Sequence, residues 1–565
     1  MKNHRSLVSC DPNLARSRRR HTDGQRSGWP FRVQSFALPT FHGSGVTVFL
    51  LAMALILSLS LNLNLAQAAS GLADRVVEQK LANGLTVLMV ERHQTPVVSL
   101  NMTFRVGGVN EQVGQTGLAH LYEHMAFKGT RTVGTKDYEK ERPILEEWFR
   151  VGTDLEQRQR ELARKSQERS ASSEDRVAIE KLQKRFTELQ DQAGQFVAGN
   201  EMALLYQRHG GVGLNAATGK DLTRYMINLP ANRLPLWAAL EADRMAHPVL
   251  REFYKERGVV MEERRLRNDD NPNGLLYETF TSAAFRAHQY GIPTIGWESD
   301  ILSLTPADTE AFFKAYYGPG NATIAIVGDI NPKEVMTLIE HTFGTIPASP
   351  AQAPLVTLEP PQRGERRVEV EFDAEPSLVI GYHKPALGHP DDYVFDVIDA
   401  VLSDGLTSRL YTSLVREKRI AASVGSDSNY PGVRSPNLFI LSATPLAPHT
   451  TAEVEATIYA EIERLKTEPV SAKELEKVLN NLDADLVRAL RSNGGLASQL
   501  ALFQTVAGDW RYALKSRDKI AAVTPADIQR VATEYFMKSN RTVATLVKKA
   551  GDKHVATAPK GEVTR

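Results

Sequence analysis

Two histidines and a glutamate in one short segment have the residue types and the spacing of a metal-dependent hydrolase. His120, Glu123 and His124 form the pattern H-x-x-E-H in a segment without interior glycine or proline, which predicts an α-helix. The i, i+4 spacing places both histidines on one helix face, where two imidazoles can hold one metal ion. Glu123 lies on the same surface, where it can take a proton from a metal-activated water without being a ligand. The pattern therefore predicts a hydrolytic zinc site.

A short motif can arise by chance, and a catalytic zinc ion needs a third protein ligand. Glu256 and Glu263 lie seven residues apart, so a helix would place both on one face. One of them could be a ligand while the other supports the site. The alternative is that these glutamates, Glu262 and the neighbouring arginines form a solvated helix face with salt bridges.

The combination resembles the pitrilysin/insulinase family of zinc peptidases, in which an inverted H-x-x-E-H motif is followed by a helix with two glutamates at this spacing. The resemblance implies that His120, His124 and Glu263 bind one Zn²⁺ per chain. It also implies that Glu256 is a catalytic-site residue that orients the ligands. Further segments follow in family order: Gly107 to Glu111, Phe127 to Thr130, Gly213 to Thr218, Tyr225, Leu229-Pro230, Glu241 to Met245, Tyr317 to Asn321, Ala322 to Val327 and Gly328-Asp329.

The segment of about residues 136–195 is an insertion relative to the family, because His124 and Glu263 are farther apart than is usual. It is rich in Glu, Lys, Arg and Gln, and its apolar residues recur at helical intervals. Ser172 and Asp175 predict a capping box that starts a second helix. We expect an antiparallel helical hairpin beside the active site, which could be a lid, a partner contact or a neutral elaboration.

The beginning of the chain predicts export. An arginine-rich region precedes an apolar run from Val46 to Leu61, and Ala66-Gln67-Ala68 supplies a small-residue cleavage signal. We interpret residues 1–68 as a signal peptide, which predicts a periplasmic or secreted protein without stable membrane insertion after cleavage. An uncleaved membrane anchor is the alternative, although the run is short for a spanning helix. The single cysteine, Cys10, lies in the part to be removed, which suits an oxidising compartment.

The remaining chain predicts two related α+β domains. With 565 residues, 42% hydrophobic, 24% charged and a net charge of +1, it has the composition of a soluble globular protein and gives no indication of a nucleic-acid partner. A proline-rich stretch at 346–366 predicts a linker between an N-terminal peptidase domain at 69–345 and a homologous, non-catalytic C-terminal domain at 367–549. Residues 550–565 predict a flexible tail. Strands and helices in blocks favour two α/β sandwiches with largely antiparallel sheets, together half of a clamshell.

The second half departs from the family in its substrate-binding motif. In many relatives an arginine and a following tyrosine hold the substrate backbone near the metal. Here Arg416 matches the arginine, but Arg419 to Val424 contains no tyrosine. Arg416 could bind substrate, or it could be a surface residue on a helix that packs through Leu410 and Leu414. The incomplete pair predicts a partner, either a relative without the zinc motif in a heterodimer or a second copy in a homodimer.

The predicted function is that of a zinc-dependent endopeptidase that hydrolyses unfolded peptides by metal-activated water, with Glu123 as general base. The strand that contains Gly213, Asn215 and Ala216 is expected at a sheet edge, where an extended peptide adds as another strand through its backbone. The alternatives are a non-catalytic peptide-binding or scaffold subunit of a heterodimeric peptidase, and a chaperone that holds extended peptides without cutting them.

Overall fold

The structure, a computed structural model, describes residues 71–350 and 352–549. The predicted signal peptide and the predicted tail lie outside these residues. By internal contacts the chain divides after Val77, and the elements described below lie in the unit from Glu78 onward, except that β1 begins at Val76. No helix in the described ranges combines the length and the hydropathy needed to cross a membrane.

The described residues contain eleven strands and sixteen α-helices. The strands are β1 (Val76–Lys80), β2 (Thr86–Glu91), β3 (Val97–Phe104), β4 (Val212–Thr218), β5 (Thr223–Pro230), β6 (Ala322–Gly328), β7 (Arg366–Phe372), β8 (Ser377–Lys384), β9 (Ala421–Tyr430), β10 (Asn437–Pro445) and β11 (Arg541–Lys548). The helices are α1 (Leu118–Met125), α2 (Tyr138–Gln167), α3 (Ser173–Gly194), α4 (Glu201–Arg208), α5 (Leu234–Ala246), α6 (Phe253–Arg264), α7 (Pro272–Ala284), α8 (Glu298–Ser303), α9 (Pro306–Tyr316), α10 (Pro332–Thr342), α11 (Pro390–Ser403), α12 (Thr451–Thr467), α13 (Ala472–Arg491), α14 (Asn493–Ala507), α15 (Tyr512–Ala521) and α16 (Pro525–Tyr535).

The strands form two sheets with the same topology, apart from the additional edge strand β1 in the first, as the predicted α+β class with two related sandwiches requires. The first sheet has the order β1-β2-β6-β3-β5-β4, and the second has the order β7-β11-β8-β10-β9. In each sheet one corresponding pair is parallel, β2 with β6 and β7 with β11. The pairs β3–β5 and β8–β10 are antiparallel, as are β4–β5 and β9–β10. The predicted duplication and the largely antiparallel pairing are therefore confirmed, with β4 and β9 as the corresponding edge strands.

Each sheet is covered on one side by a helix from the other half of the sequence. Helix α7 precedes the second sheet in sequence, yet it packs on β7, β8 and β11. Its Leu276 and Phe280 are buried there among side chains that include Val379 and Ala544. Helix α14 comes from the second half and packs on β3 and β6, where Asn101 Nδ2 donates to Ser498 Oγ at 3.2 Å. The two halves therefore exchange one helix each.

The predicted helical hairpin is confirmed as α2 and α3, and the predicted capping box at Ser172 and Asp175 starts α3. The base of the hairpin packs against α6. Trp148 of α2 contacts Tyr254 of α6 edge to face at 5.2 Å between ring centroids, and Glu156 accepts from Arg257 at 2.5 Å. The hairpin is therefore a support for α6, because its packing side carries both an aromatic contact and a partly buried ion pair.

The predicted linker contains no helix or strand between Thr345 and Arg366 among the described residues. It is nevertheless fixed to the domain surface. The carboxylate of Glu359 accepts three backbone hydrogen bonds, from Arg286 and Ala287 at 2.8 Å and from His288 at 3.1 Å. These three donors follow the end of α7, so the linker fastens the helix that crosses to the second sheet.

Candidate metal centre

Helix α1, which carries the H-x-x-E-H motif, is held at its first turn by a buried carboxylate. Glu111 accepts from the backbone N–H groups of Gly117 and Ala119, both at 2.8 Å. These groups lack partners within the helix, so a carboxylate there satisfies them and complements the helix dipole. Burial raises the pKa of Glu111 to about 7, although these hydrogen bonds act to lower it. Gly117 has φ +89°, and a Cβ there would lie 2.6 Å from the Ile295 carbonyl oxygen, so the position requires glycine.

The opposite face of α1 packs into an aromatic cluster. Tyr122 stacks on Phe313 with ring centroids 5.3 Å apart and lies 4.2 Å from the ring of Tyr317. Leu118, Leu121 and Met125 are also buried. This packing fixes the rotation of the helix, so that its remaining face presents both histidines and Glu123 to α6 and β4.

Helix α6 carries the two acidic residues and is fixed at both ends. Phe253 and Val260 are fully buried. Just beyond Glu263, Arg264 donates to both oxygens of Glu278, at 3.0 and 2.9 Å, and to the Gly296 carbonyl at 2.7 Å. The hairpin supports the same helix from another side, so the position of the candidate third ligand is determined by packing on several elements.

The structure brings together the three residues predicted as metal ligands. One donor atom from each of His120, His124 and Glu263 lies within 4.8 Å of the others. Glu263 Oε2 is 3.2 Å from His124 Nε2 and 3.7 Å from His120 Nε2. In the described part of the chain His124 Nε2 is buried and has no hydrogen-bond partner. Two imidazole nitrogens and one carboxylate match the donor set of a catalytic zinc site with one open position.

The electrostatics of this cluster favour a positive charge between the donors. Burial, together with the charge of the neighbouring His124, lowers the pKa of His120 to about 3. Burial also acts to lower the pKa of His124, but the hydrogen bond to Glu256 and the close contact with Glu263 raise it to about 9. The two carboxylates thus stabilise a cation at His124, a role that a proton fills when no metal is bound.

Glu256 contacts His124 from outside the donor cluster. Its Oε1 lies 2.9 Å from His124 Nδ1, and its Oε2 lies 2.5 Å from Lys128 Nζ. A carboxylate on the second nitrogen of a ligating histidine fixes the ring orientation and its tautomer. This geometry suits the supporting role that was expected for Glu256, and it adds Lys128 as the group that holds Glu256 in place.

Replacing Glu256 with glutamine should lower zinc affinity about 10- to 100-fold, because supporting carboxylates of ligating histidines have effects of this size. Zinc competition with a chromophoric chelator would measure the change. Glu262→Gln is the matched control, since Glu262 lies on the same helix and pairs at the surface with Arg265 at 3.1 Å. Equal affinities for the Glu256 variant and the control would contradict the supporting role.

Glu123 is fully buried beside the donor cluster and lies outside it. Its Oε2 accepts a hydrogen bond from Thr218 Oγ1 at 2.5 Å. Thr218 ends the edge strand β4, so the predicted base is joined directly to the strand that is expected to bind peptide. This arrangement can orient one carboxylate oxygen and leave the carboxylate positioned for proton transfer.

The predicted substrate-binding residues Gly213, Asn215 and Ala216 lie on β4, at the free edge of the first sheet. The β4–β5 pairing is interrupted between Val212 and Asn215. Gly213 lies in this bulge with φ +69°, so regular strand geometry is confined to Asn215–Thr218. Arg416 lies in a π-helical segment, Tyr411–Glu417, where its ion pair is with Glu417 at 3.7 Å. The described contacts do not bring Arg416 to the donor cluster, and its role in binding stays a prediction.

Three residues of the centre were not identified from sequence. Glu111 lies in the Gly107 to Glu111 segment, and Thr218 ends the Gly213 to Thr218 segment. Both segments were noted in the sequence, but the sequence did not indicate which residues Glu111 and Thr218 contact. Lys128 lies in the Phe127 to Thr130 segment in the same way. Each acts through a partner that is distant in sequence, which a local pattern cannot show.

Comparison with known protein families places the motif in a peptidase family. Residues 86–147, which include the H-x-x-E-H segment, match the model described as Insulinase (Peptidase family M16). Residues 303–482 match the model described as Peptidase M16 inactive domain. The inactive-domain match begins after His120, Glu123, His124 and Glu263, so the name applies to the part of the chain without the predicted site.

Individual relatives agree with this assignment. The chain is 29% identical over 474 residues to the zinc protease PqqE of Helicobacter pylori, covering 82% of this chain and 91% of the relative. A crystal structure of a protease from Helicobacter pylori aligns with a TM-score of 0.69 and 28% identity, covering 84% of this chain and 99% of that one. The fold and the relatives define a two-sandwich unit of the M16 peptidases. The chain belongs to the pitrilysin/insulinase family.

A solved structure with lower sequence identity shows how the fold of this unit corresponds to part of a longer protein. The first half of the periplasmic protease PqqL from Escherichia coli aligns with a TM-score of 0.61 at 17% identity, covering 84% of this chain and 92% of that half. The chain covers 47% of the complete PqqL structure. At the level of fold, therefore, this chain corresponds to one half of the longer protein, as expected for half of a clamshell.

Proposed function

We propose that the protein is a zinc-dependent endopeptidase that cuts unfolded peptides, with Glu123 as the general base. The observation that carries the proposal is the convergence of His120, His124 and Glu263 next to a buried glutamate that is not part of the donor group. Family membership and the zinc protease among the relatives support the same chemistry.

The residues present fit a zinc ion. His124 has a buried ring nitrogen without a hydrogen-bond partner that faces Glu263, while its other nitrogen is oriented by Glu256. His120, His124 and Glu263 would hold the ion. When bound, zinc would polarise the scissile carbonyl and lower the pKa of water at the site toward about 7.

The protein groups then carry the proton. Glu123, oriented by Thr218, would accept a proton from the attacking water and deliver it to the leaving amine. An extended peptide would pair with Asn215–Thr218 at the sheet edge, so that its backbone lies beside Glu123. Backbone pairing is tolerant of sequence and requires an extended chain, which is why unfolded peptides are the proposed substrates.

The active unit is proposed to be a pair of subunits. This chain covers one half of the complete PqqL protease, and its second half lacks the tyrosine that accompanies the arginine in many relatives. A heterodimer with a relative that lacks the zinc motif would supply the missing pair, and a homodimer is the second form. Full activity of a stable monomer at nanomolar concentration would argue against both.

We place the protein in the periplasm or outside the cell. The signal predicted at residues 1–68 supports this location, and PqqL is described as periplasmic. Detection of the processed chain in the periplasmic fraction after mild osmotic release would test it.

Metal removal tests the enzymatic proposal. The chain beginning at Ala69, treated with a chelator, should lose hydrolysis of an unstructured peptide mixture, and stoichiometric zinc should restore it. Magnesium added at the same concentration is the control, because this donor set favours zinc. Zinc bound at one ion per chain without hydrolysis, either alone or with a partner subunit, would favour the non-catalytic peptide-binding role instead.

A further inference from the structure

The negative charge of Glu123, the predicted general base, reaches the guanidinium group of Arg224, although no hydrogen bond or ion pair joins the two side chains in the described part of the chain. Arg224 of β5 lies directly opposite Ala217 of the edge strand β4. Ala217 precedes Thr218, which donates to Glu123. Arg224 is only partly exposed, and in the described part of the chain its side chain makes no hydrogen bond and no ion pair. No nitrogen of its side chain is both buried and unpaired, so its donors reach solvent and are available to a ligand.

A second unpaired arginine lies on the same face of the sheet. Thr103 of β3 is the register partner of Arg224, and Arg105 follows two residues later. Because side chains alternate along a strand, Thr103 and Arg105 point to the same face as Arg224. Arg105 is exposed, and its guanidinium also has no ion pair among the described residues.

The second half of the chain adds a third arginine. Arg434, in the loop between β9 and β10, donates from Nη1 to the backbone oxygen of Asp221 at 3.3 Å, and its buried Nε has no partner. The carboxylate of Asp221 is used by Tyr290, Val433 and the backbone of Arg434. Burial lowers the pKa of Arg434, the charge of Arg105 acts in the same direction, and the carboxylate of Asp221 acts against both.

These three arginines, the Arg105–Arg224–Arg434 cluster, lie around the β4–β5 turn. Among the described residues no carboxylate is at ion-pair distance from their guanidinium groups, and the charges of Glu123 and Asp221 act on Arg224 and Arg434 from farther away. An anion bound directly between these guanidinium groups would offset their mutual repulsion more strongly than the more distant Glu123 and Asp221 do. A carboxylate is the natural complement, because the guanidinium fork binds its two oxygens in parallel.

We propose that the Arg105–Arg224–Arg434 cluster is a carboxylate-binding subsite that sets substrate preference. The inference rests on the proposed peptidase function and names its substrate class: peptides with a carboxylate close to the scissile bond. Arg224 lies opposite Ala217, and a strand advances by about 3.3 Å per residue. In a peptide paired with β4, the carboxylate that reaches Arg224 therefore lies within about three residues of the scissile bond. It belongs either to an acidic side chain or to the peptide C-terminus.

Matched peptides test the subsite and identify the source of the carboxylate. One pair differs by Glu against Gln at each position within three residues of the cut, and a second pair differs by a free against an amidated C-terminus. In one of the two pairs we expect the peptide with the carboxylate to have a kcat/KM about tenfold higher, or more, than the peptide without it. This ratio corresponds to one charge-assisted hydrogen-bonded pair. The pair that shows the preference gives the source.

Variants connect the preference to Arg224. In Arg224→Gln the ratio of kcat/KM between the two peptides should fall toward one, and Arg224→Lys should restore part of it, because lysine keeps the charge and loses the fork. Arg233→Gln, an exposed arginine after the same strand, should keep the wild-type ratio. A wild-type ratio near one, or an unchanged ratio in Arg224→Gln, would overturn the proposal.

A separate role for Arg224, to position Glu123, has its own signature. In that case Arg224→Gln would lower kcat equally for all peptides and move the acidic limb of the pH profile, and the subsite would be rejected. If the wild-type protein cuts nothing, the peptidase proposal fails first. The same peptide pairs can then be compared by equilibrium binding to the zinc-loaded protein, where a carboxylate preference lost in Arg224→Gln would still support the subsite.

Discussion

Glu123→Gln should remove peptide hydrolysis while zinc stays bound. Glutamine has nearly the same shape and cannot accept a proton from water, so the chemical step loses its base. Removal of a general base typically costs about 10²- to 10⁴-fold in rate. Zinc content should remain at the wild-type level, because Glu123 lies outside the donor group of His120, His124 and Glu263. Parallel measurements of kcat and of bound zinc would check both parts.

Thr218→Val provides a graded comparison for the same experiment. It removes the 2.5 Å hydrogen bond to Glu123 and keeps the carboxylate, so we expect a smaller loss than in Glu123→Gln. Loss of zinc in Glu123→Gln would mean that Glu123 is itself a ligand. Retention of wild-type hydrolysis would assign the base to another group.

Phe280→Ala should destabilise the protein by about 3–5 kcal/mol, as is typical of a large side chain removed from a packed core. Phe280 is fully buried, and it lies against the second sheet although it belongs to the first half of the sequence. A Cβ on Gly381 of β8 would collide with its ring, which shows how closely the helix and the strand approach. Chemical unfolding monitored by circular dichroism would measure the loss.

Asn273→Ala is the matched control for this experiment, because Asn273 is an exposed residue at the start of the same helix. A cost below about 1 kcal/mol for Phe280→Ala would contradict the packing role of α7.

The same reasoning predicts that fragments divided at residue 351 do not fold separately. Each fragment would lack the helix that covers one face of its sheet, and apolar strand faces would be exposed to water.

The parts of the centre that follow local rules could be predicted from the sequence. The spacing of His120 and His124 determines a shared helix face, and the capping box at Ser172 is a local hydrogen-bond pattern. The repeated strand blocks indicated two related sheets. The assignment of Glu263 required the resemblance, because its approach to His124 depends on packing between segments far apart in sequence.

Other features depend on tertiary contacts that have no local signal. The exchange of α7 and α14 between the sheets was not predicted, because the sequence of neither helix indicates which sheet it packs against. Arg224 is one arginine among many in the sequence, and only the strand register places it opposite the residue that precedes Thr218. The hairpin was expected beside the site, but its function as a support for α6 became clear only from the contacts of Tyr254 and Arg257.

The helix exchange also sets the order in which the chain can fold during synthesis. The hydrogen bond between Asn101 and Ser498 joins residues 397 positions apart, and α14 is made after all the strands of the first sheet. Until that helix has been made, one face of β3 and β6 lacks this cover, so the first sheet cannot reach its final stability. Contacts of such long range make folding slow. Completion of the N-terminal sheet therefore waits for a segment that is made much later in translation.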